Sequence, residues 1–103
     1  RDAILRVRWT TAAELVGARL THRFGESEPR PIADARTTRV LVIDEFGFER
    51  PDPAFWVDLI DQRYSRGFVT ITTSGATLDE LRAKYGAATI RKLIEPVGSI
   101  VEA

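Results

Sequence analysis

The chain has no cysteine, no methionine and a single histidine, and its 15 Lys+Arg are balanced by 15 Asp+Glu. Without cysteine there is no disulfide framework, no thiolate zinc site and no cysteine nucleophile. His22 alone excludes any site that needs two imidazoles. A zero net charge argues against proteins that coat polyanions, because binding mainly through phosphates calls for a clear positive excess. A local basic strip stays open, with Arg1, Arg6, Arg8, Arg36 and Arg39 as candidates; the alternative is a solvated edge balanced by Asp2 and Asp34. No apolar run approaches the ~18 residues of a membrane span, and Arg1 does not open the charged-then-apolar layout of a signal peptide. A cytoplasmic protein with no membrane partner is therefore expected. The lack of methionine even at position 1 leads us to expect a processed chain or a piece excised from something longer.

What is present suits one modest core: 103 residues, 44% hydrophobic and 29% charged, describe one compact domain. Ile4 to Trp9 alternates with Leu5, Val7 and Trp9 on one face, the period of a half-buried strand. Thr11 and Glu14 have capping-box spacing, which predicts a helix through about Phe24 with Ala12, Leu15, Val16, Leu20 and Phe24 on its stripe. Gly25 to Thr38, with Pro29 and Pro31, reads as a loop with a short turn at Ile32 to Ala35. Val40 to Ile43 is a short apolar, β-branched run that suits a strand in a parallel sheet.

Asp52-Pro53 supplies an N-cap and a proline at the first helical position. The helix that follows presents Phe55 or Trp56, Leu59, Ile60 and Tyr64, and Gly67 stops it. Phe68 to Thr73 reads as a strand. Thr77 and Glu80 repeat the capping-box spacing, a further helix is expected from Ala87 to Glu95 before Pro96, and Ser99 to Glu102 reads as the last strand. This alternation predicts an α/β fold with a mostly parallel sheet and right-handed crossovers. Trp9, Trp56, Phe55 and Phe68 are expected in core or sheet packing, and Phe46 and Phe48 in packing contacts rather than in water.

Ligands of open parallel sheets gather at the carboxyl ends of the strands. Asp44-Glu45 follows VLVI directly, and such a pair can hold Mg²⁺ through Asp44 while Glu45 polarises an attacking water; the same two residues also suit an ordinary turn. Thr72-Thr73-Ser74 ends the next strand with hydroxyls able to bond a phosphate or a water. An apolar strand ending in acids, a helix, and a strand ending in hydroxyls reproduce the layout of Walker B and sensor 1 in a P-loop ATPase.

The stretches VLVIDEFGFE and FWVDLIDQRYSRGFVTITTSGATLDELRAKYG, followed by a helix before GSIVEA, resemble the AAA+ ATPases of the bacterial helicase-loader and transposition-helper group, the DnaC-like and IstB-like proteins. The resemblance implies a three-layer, P-loop-NTPase-like parallel sheet in which residues 1–103 are a partial AAA+ domain, from the second strand to the final core strand. It implies that Asp44 coordinates Mg²⁺, that Glu45 is the catalytic glutamate and that Ser74 senses the γ-phosphate, with the Thr73 hydroxyl at the same strand end as a further candidate to bind it. Ser74 stands where the group has an asparagine, and serine offers one donor hydrogen where the amide offers two. Lys92 falls on the arginine finger, and lysine keeps the charge without the planar fork; the adjacent Arg91 is the alternative finger or an exposed helix charge.

The chain has no G-x-x-x-x-G-K-[ST], since neither Lys84 nor Lys92 follows a glycine. ATP and Mg²⁺ are thus implied only if a P-loop is supplied from outside this chain. In the AAA+ layout the strand before that loop lies between the sensor 1 strand and the last strand. Either another segment supplies it, or Ser99 to Glu102 pairs directly with Phe68 to Thr73 in a four-stranded sheet. Implied partners are further copies or an AAA+ neighbour, DNA, and a helicase or transposase. The alternative is a non-catalytic interaction module that pairs with a partner through its open sheet edge.

Overall fold

The computed structural model describes residues 7–94 and 98–102. The expected strand residues Ile4 to Arg6, the arginines Arg1 and Arg6, and the helix end at Glu95 lie outside them.

The order is β1 (Val7–Thr11), α1 (Ala12–Thr21), α2 (Arg30–Thr37), β2 (Val40–Asp44), α3 (Pro53–Ser65), β3 (Val69–Ser74), α4 (Leu78–Tyr85), α5 (Ala87–Ile94) and β4 (Gly98–Glu102). The sheet is parallel throughout in the order β1-β2-β3-β4. The last strand pairs directly with β3, Thr70 facing Gly98 and Ser74 facing Glu102. Because each crossover steps the same way across the sheet, right-handed connections set the helices on one face. Among the described residues the helices therefore form one layer against the sheet.

Both capping boxes form. The Glu14 amide donates to the Thr11 hydroxyl at 3.0 Å and the Thr11 amide donates to the Glu14 carboxylate at 3.2 Å, and Thr77 and Glu80 repeat the exchange. Helix α1 stops at Thr21, short of the expected Phe24, because its apolar stripe leaves the core after Val16: Leu20 is 55% exposed and Phe24 wholly so. The expected loop at 25–38 holds a complete helix, α2. Pro31 sits in its first turn, where its missing N–H is no loss, and Ile32 and Ala35 bury one face. Asp52 caps α3, accepting from the Phe55 amide at 3.4 Å, and Gly67 at φ +70 reverses the chain after Arg66.

A single apolar cluster joins all the helices to Leu41 and Ile43 of the sheet. Phe46 stacks on Tyr85 with centroids 4.6 Å apart and meets Trp56 edge-on at 5.1 Å. Phe55 and Trp56 are buried as expected, and Phe68 is half-buried beneath the Arg63 guanidinium. Trp9 and Phe48 depart from the expected packing: Trp9 is 68% exposed because it points to the face without helices, and Phe48 is 69% exposed in the loop after β2. Arg8 pairs with Asp34 at 3.0 Å, while Arg36 pairs with Glu28 and Asp58, each at 2.9 Å. Two members of the candidate basic strip are thus neutralised by acids.

Arg63 holds the layers together from inside. It is fully buried, and its guanidinium donates to the carbonyls of Ala35 at 2.7 Å, Thr38 at 2.6 Å and Val69 at 2.7 Å and to the Thr70 hydroxyl at 2.8 Å. Two of those carbonyls lie at the C-terminal end of α2, where the helix dipole favours a cation. Burial lowers the Arg63 pKa to about 10.

Candidate functional site

The carboxyl ends of β2 and β3 bring Asp44, Glu45 and Thr73 together. Alternation along two parallel strands puts the side chains of Asp44 and Thr73 on the same face of the sheet. The Thr73 hydroxyl donates to Asp44 Oδ1 in a close contact, and the Glu45 amide donates to the same oxygen at 3.0 Å and to Thr73 Oγ1 at 3.2 Å. Asp44 is half-buried and Glu45 exposed. Beside them, Trp9, Thr10, Thr11, Glu14 and Asp44 line an open depression of about 140 Å³.

Glu45 has φ +56, a left-handed conformation uncommon outside glycine. Its neighbours hold it there. The Phe46 amide donates to the Thr73 carbonyl at 2.8 Å, and the Ser74 hydroxyl donates to the Phe46 carbonyl. Gly47 follows at φ +109, where an added Cβ would lie 3.0 Å from Leu81 Cδ2 and 3.1 Å from Ser74 Oγ. Two positive φ angles, on either side of Phe46, turn the chain sharply away from β2, so Glu45 is presented at the rim of the sheet.

A buried polar anchor completes the loop. Glu49 accepts from the Gly47 amide at 2.7 Å and from the Tyr85 hydroxyl. Lys84 Nζ donates to the carbonyls of Gly47 at 2.7 Å and Glu49 at 2.8 Å and lies 3.9 Å from the Glu49 carboxylate. Burial, reinforced by the Glu49 carboxylate, raises the Tyr85 pKa well above its ordinary value and keeps the phenol a donor. Glu49, Lys84 and Tyr85 escape a reading by strand ends because they sit in a loop and on a helix. Their signal is a carboxylate five residues past Asp44 facing a Lys-Tyr pair at the end of a capped helix.

The remaining expected site residues lie apart from this cluster. Ser74 is buried on the helix-covered side of β3, its Oγ bonded to the Phe46 carbonyl and accepting from the Ala76 amide at 3.1 Å. Its hydroxyl braces the loop, and the hydroxyl that reaches Asp44 belongs to Thr73. Lys92 of α5 is ion-paired with Asp61 of α3 and lies over the Tyr64 ring at 5.9 Å, and Arg91 is exposed on the same helix.

Among the described residues, no group of three or more His, Cys, Asp or Glu side chains is placed to hold a metal ion. Mg²⁺ is commonly held by one or two carboxylates, water and the substrate's own phosphate oxygens. Asp44 with Thr73 fits the protein's half of such a site. The phosphate cradle that would supply the other half has no counterpart in the sequence.

No protein-family model matches this sequence, and no curated protein matches it. No helix among the described residues is long and apolar enough to cross a membrane.

Proposed function

We propose that residues 1–103 form the Walker B to sensor portion of an AAA+ ATPase similar to helicase loaders and transposition helpers, acting on DNA in the cytoplasm. The observation that carries this reading is the bonding of Asp44 to Thr73 across the carboxyl ends of adjacent parallel strands, with Glu45 held beside them. In the reading, Mg²⁺ bound with ATP would neutralise negative charge on the phosphate oxygens and so leave the phosphorus open to attack. The chain's own residues do the rest. Asp44 offers the metal a carboxylate oriented by the Thr73 hydroxyl and the Glu45 amide. Glu45, exposed at the rim, takes a proton from the attacking water. Thr73, its one hydroxyl hydrogen given to Asp44, accepts a hydrogen bond from the attacking water, and Ser74 fixes the loop that aims Glu45. Arg91 or Lys92 reaches the nucleotide of a neighbouring subunit, which for Lys92 requires release from Asp61. ATP-driven helicase loading or target delivery by transposase is the role we assign to the assembled protein.

The phosphate cradle comes from outside this chain. Titration of residues 1–103 with Mg·ATP in a calorimeter is therefore expected to show weak association, with Kd of about 1 mM or above. Asp44→Asn should remove that association, and no phosphate should be released. Sub-micromolar binding unaffected by Asp44→Asn would contradict the site. Turnover that Glu45→Gln abolishes would contradict the need for a cradle.

The second reading, a non-catalytic module that pairs through its open edge, is favoured by the place of β1 at the end of the strand order, where among the described residues its one paired strand is β2. It predicts no association of Mg·ATP at any concentration.

A further inference from the structure

Arg39 and Arg66 stand at the amino ends of β2 and β3, at the opposite end of the sheet from Asp44. With Val40, Gly67, Phe68 and Val69 they line an open depression of about 410 Å³, and no carboxylate lines it. A Cβ added at Gly67 would meet nothing within 4 Å, so the rim is open there. Other arginines are answered by acids: Arg19 by Asp52, Arg36 by Glu28 and Asp58, and Arg82 by Asp79. Among the described residues Arg39 and Arg66 have no such partner, and both are exposed.

A third positive charge lies directly behind them. Arg63 bonds the Val69 carbonyl at 2.7 Å and the Arg39 carbonyl at 3.5 Å, and its guanidinium lies 5.5 Å from the centre of the Phe68 ring. Arg39, Phe68 and Val69 also frame the depression, and the oxygens that Arg63 bonds are all neutral. Water and salt screen a buried charge poorly, so the field of Arg63 reaches the opening between the two exposed arginines. Burial holds the Arg63 pKa down to about 10, and an anion in the depression would favour its charged form. The positive edge continues past β2. Val7 is in register with Val40, and beside it Arg8 and Arg30 share the one carboxylate of Asp34, at 3.0 and 3.3 Å.

The chemistry of the edge selects the anion. A guanidinium fork donates paired hydrogen bonds to carboxylate or phosphate oxygens. A carboxylate brings one charge and two oxygens to three guanidiniums, whereas a phosphate monoester brings about two charges and three acceptor oxygens. A nucleic-acid strand brings successive phosphates, which would extend from Arg39 and Arg66 towards Arg8 and Arg30. We propose that the Arg39–Arg66 depression binds phosphate oxygens, carried by a free phosphate ester or by a nucleic-acid backbone. The proposal stands independently of nucleotide binding at Asp44.

The test titrates residues 1–103 with sodium pyrophosphate at constant ionic strength, read by the amide resonances of Arg39, Gly67 and Phe68 and the Nε–Hε resonances of Arg39 and Arg66. Saturable shifts are expected, with Kd of about 1 mM. Arg39→Gln and Arg66→Gln should each weaken binding by about fivefold or more, with the far-ultraviolet circular dichroism unchanged because both side chains are exposed. Arg50→Gln, in the loop at the carboxyl end of the sheet, and Asp44→Asn should bind as the parent does, which keeps the outcome separate from events at the other edge. An oligothymidylate strand of about twelve nucleotides distinguishes the two sources. Tighter binding than pyrophosphate assigns the site to nucleic acid, and weaker binding assigns it to a free phosphate ester. No saturable shift with either ligand up to about 20 mM, equal shifts from sodium acetate, or binding unchanged in both arginine variants overturns the proposal.

Discussion

Arg63 is the residue on which the packing most depends, because it carries a charge into the core and satisfies it with oxygens none of which is a carboxylate. Methionine would fill much of its volume and leave the Ala35, Thr38 and Val69 carbonyls without their donor. Arg63→Met should lower stability by about 3 kcal/mol or more, with faster amide exchange at the end of α2 as the local signature in urea unfolding and hydrogen-exchange measurements. Arg63 was legible as an anomaly: it lies four residues after Leu59 and three after Ile60, on the apolar stripe of α3. The acceptors were not legible, because they are backbone carbonyls distant in sequence. Tyr85 makes a prediction of opposite kind. Its folded pKa lies above the ordinary value of 10.0, so above that pH the unfolded chain loses a proton that the folded chain retains. This contribution to stability is complete below pH 10 and declines by up to about 1.4 kcal/mol per unit as pH rises. Arg63, with its pKa lowered to about 10, acts in the reverse direction over the same range. The stability difference between the parent chain and Tyr85→Phe isolates the tyrosine, and should change with pH only above about 10.

At the scale of elements, the two capping boxes and the Asp52-Pro53 start were readable because each is a local exchange of hydrogen bonds with fixed spacing. Helix α2 was not. Its prolines resemble loop punctuation, its buried apolar content is Ile32 and Ala35, and much of its support comes from Arg63, which bonds carbonyls 25 and 28 residues away. The candidate site divides the same way. Strand ends located Asp44, Glu45 and Thr73, while the inward turn of Ser74 follows from the parity of β3 relative to the helical layer, which depends on the whole sheet. The loop from Glu45 to Glu49 is the element where this matters most. Gly47→Ala would place a Cβ at φ +109 against Leu81 and Ser74, and should lower stability by roughly 1–3 kcal/mol. The same change should broaden the Glu45 amide resonance, because the anchor that sets its φ is released; thermal unfolding and NMR line widths check both.

For the whole molecule, the order β1-β2-β3-β4 decides both what is packed and what is not. Stepwise right-handed crossovers gather the helices over Leu41 and Ile43 and leave Val40, Val42, Asp44 and Thr73 on the opposite face. The acidic edge and the apolar surface that no described helix covers are therefore parts of one side of the sheet. The proposed binding of a metal–nucleotide complex at this edge is tested by amide line broadening from millimolar Mn²⁺·ATP in residues 1–103. Broadening is expected to be greatest at Asp44, Glu45 and Thr73, small at Arg91 and Lys92, and lost in Asp44→Asn. Broadening centred elsewhere, or unchanged by Asp44→Asn, would contradict it.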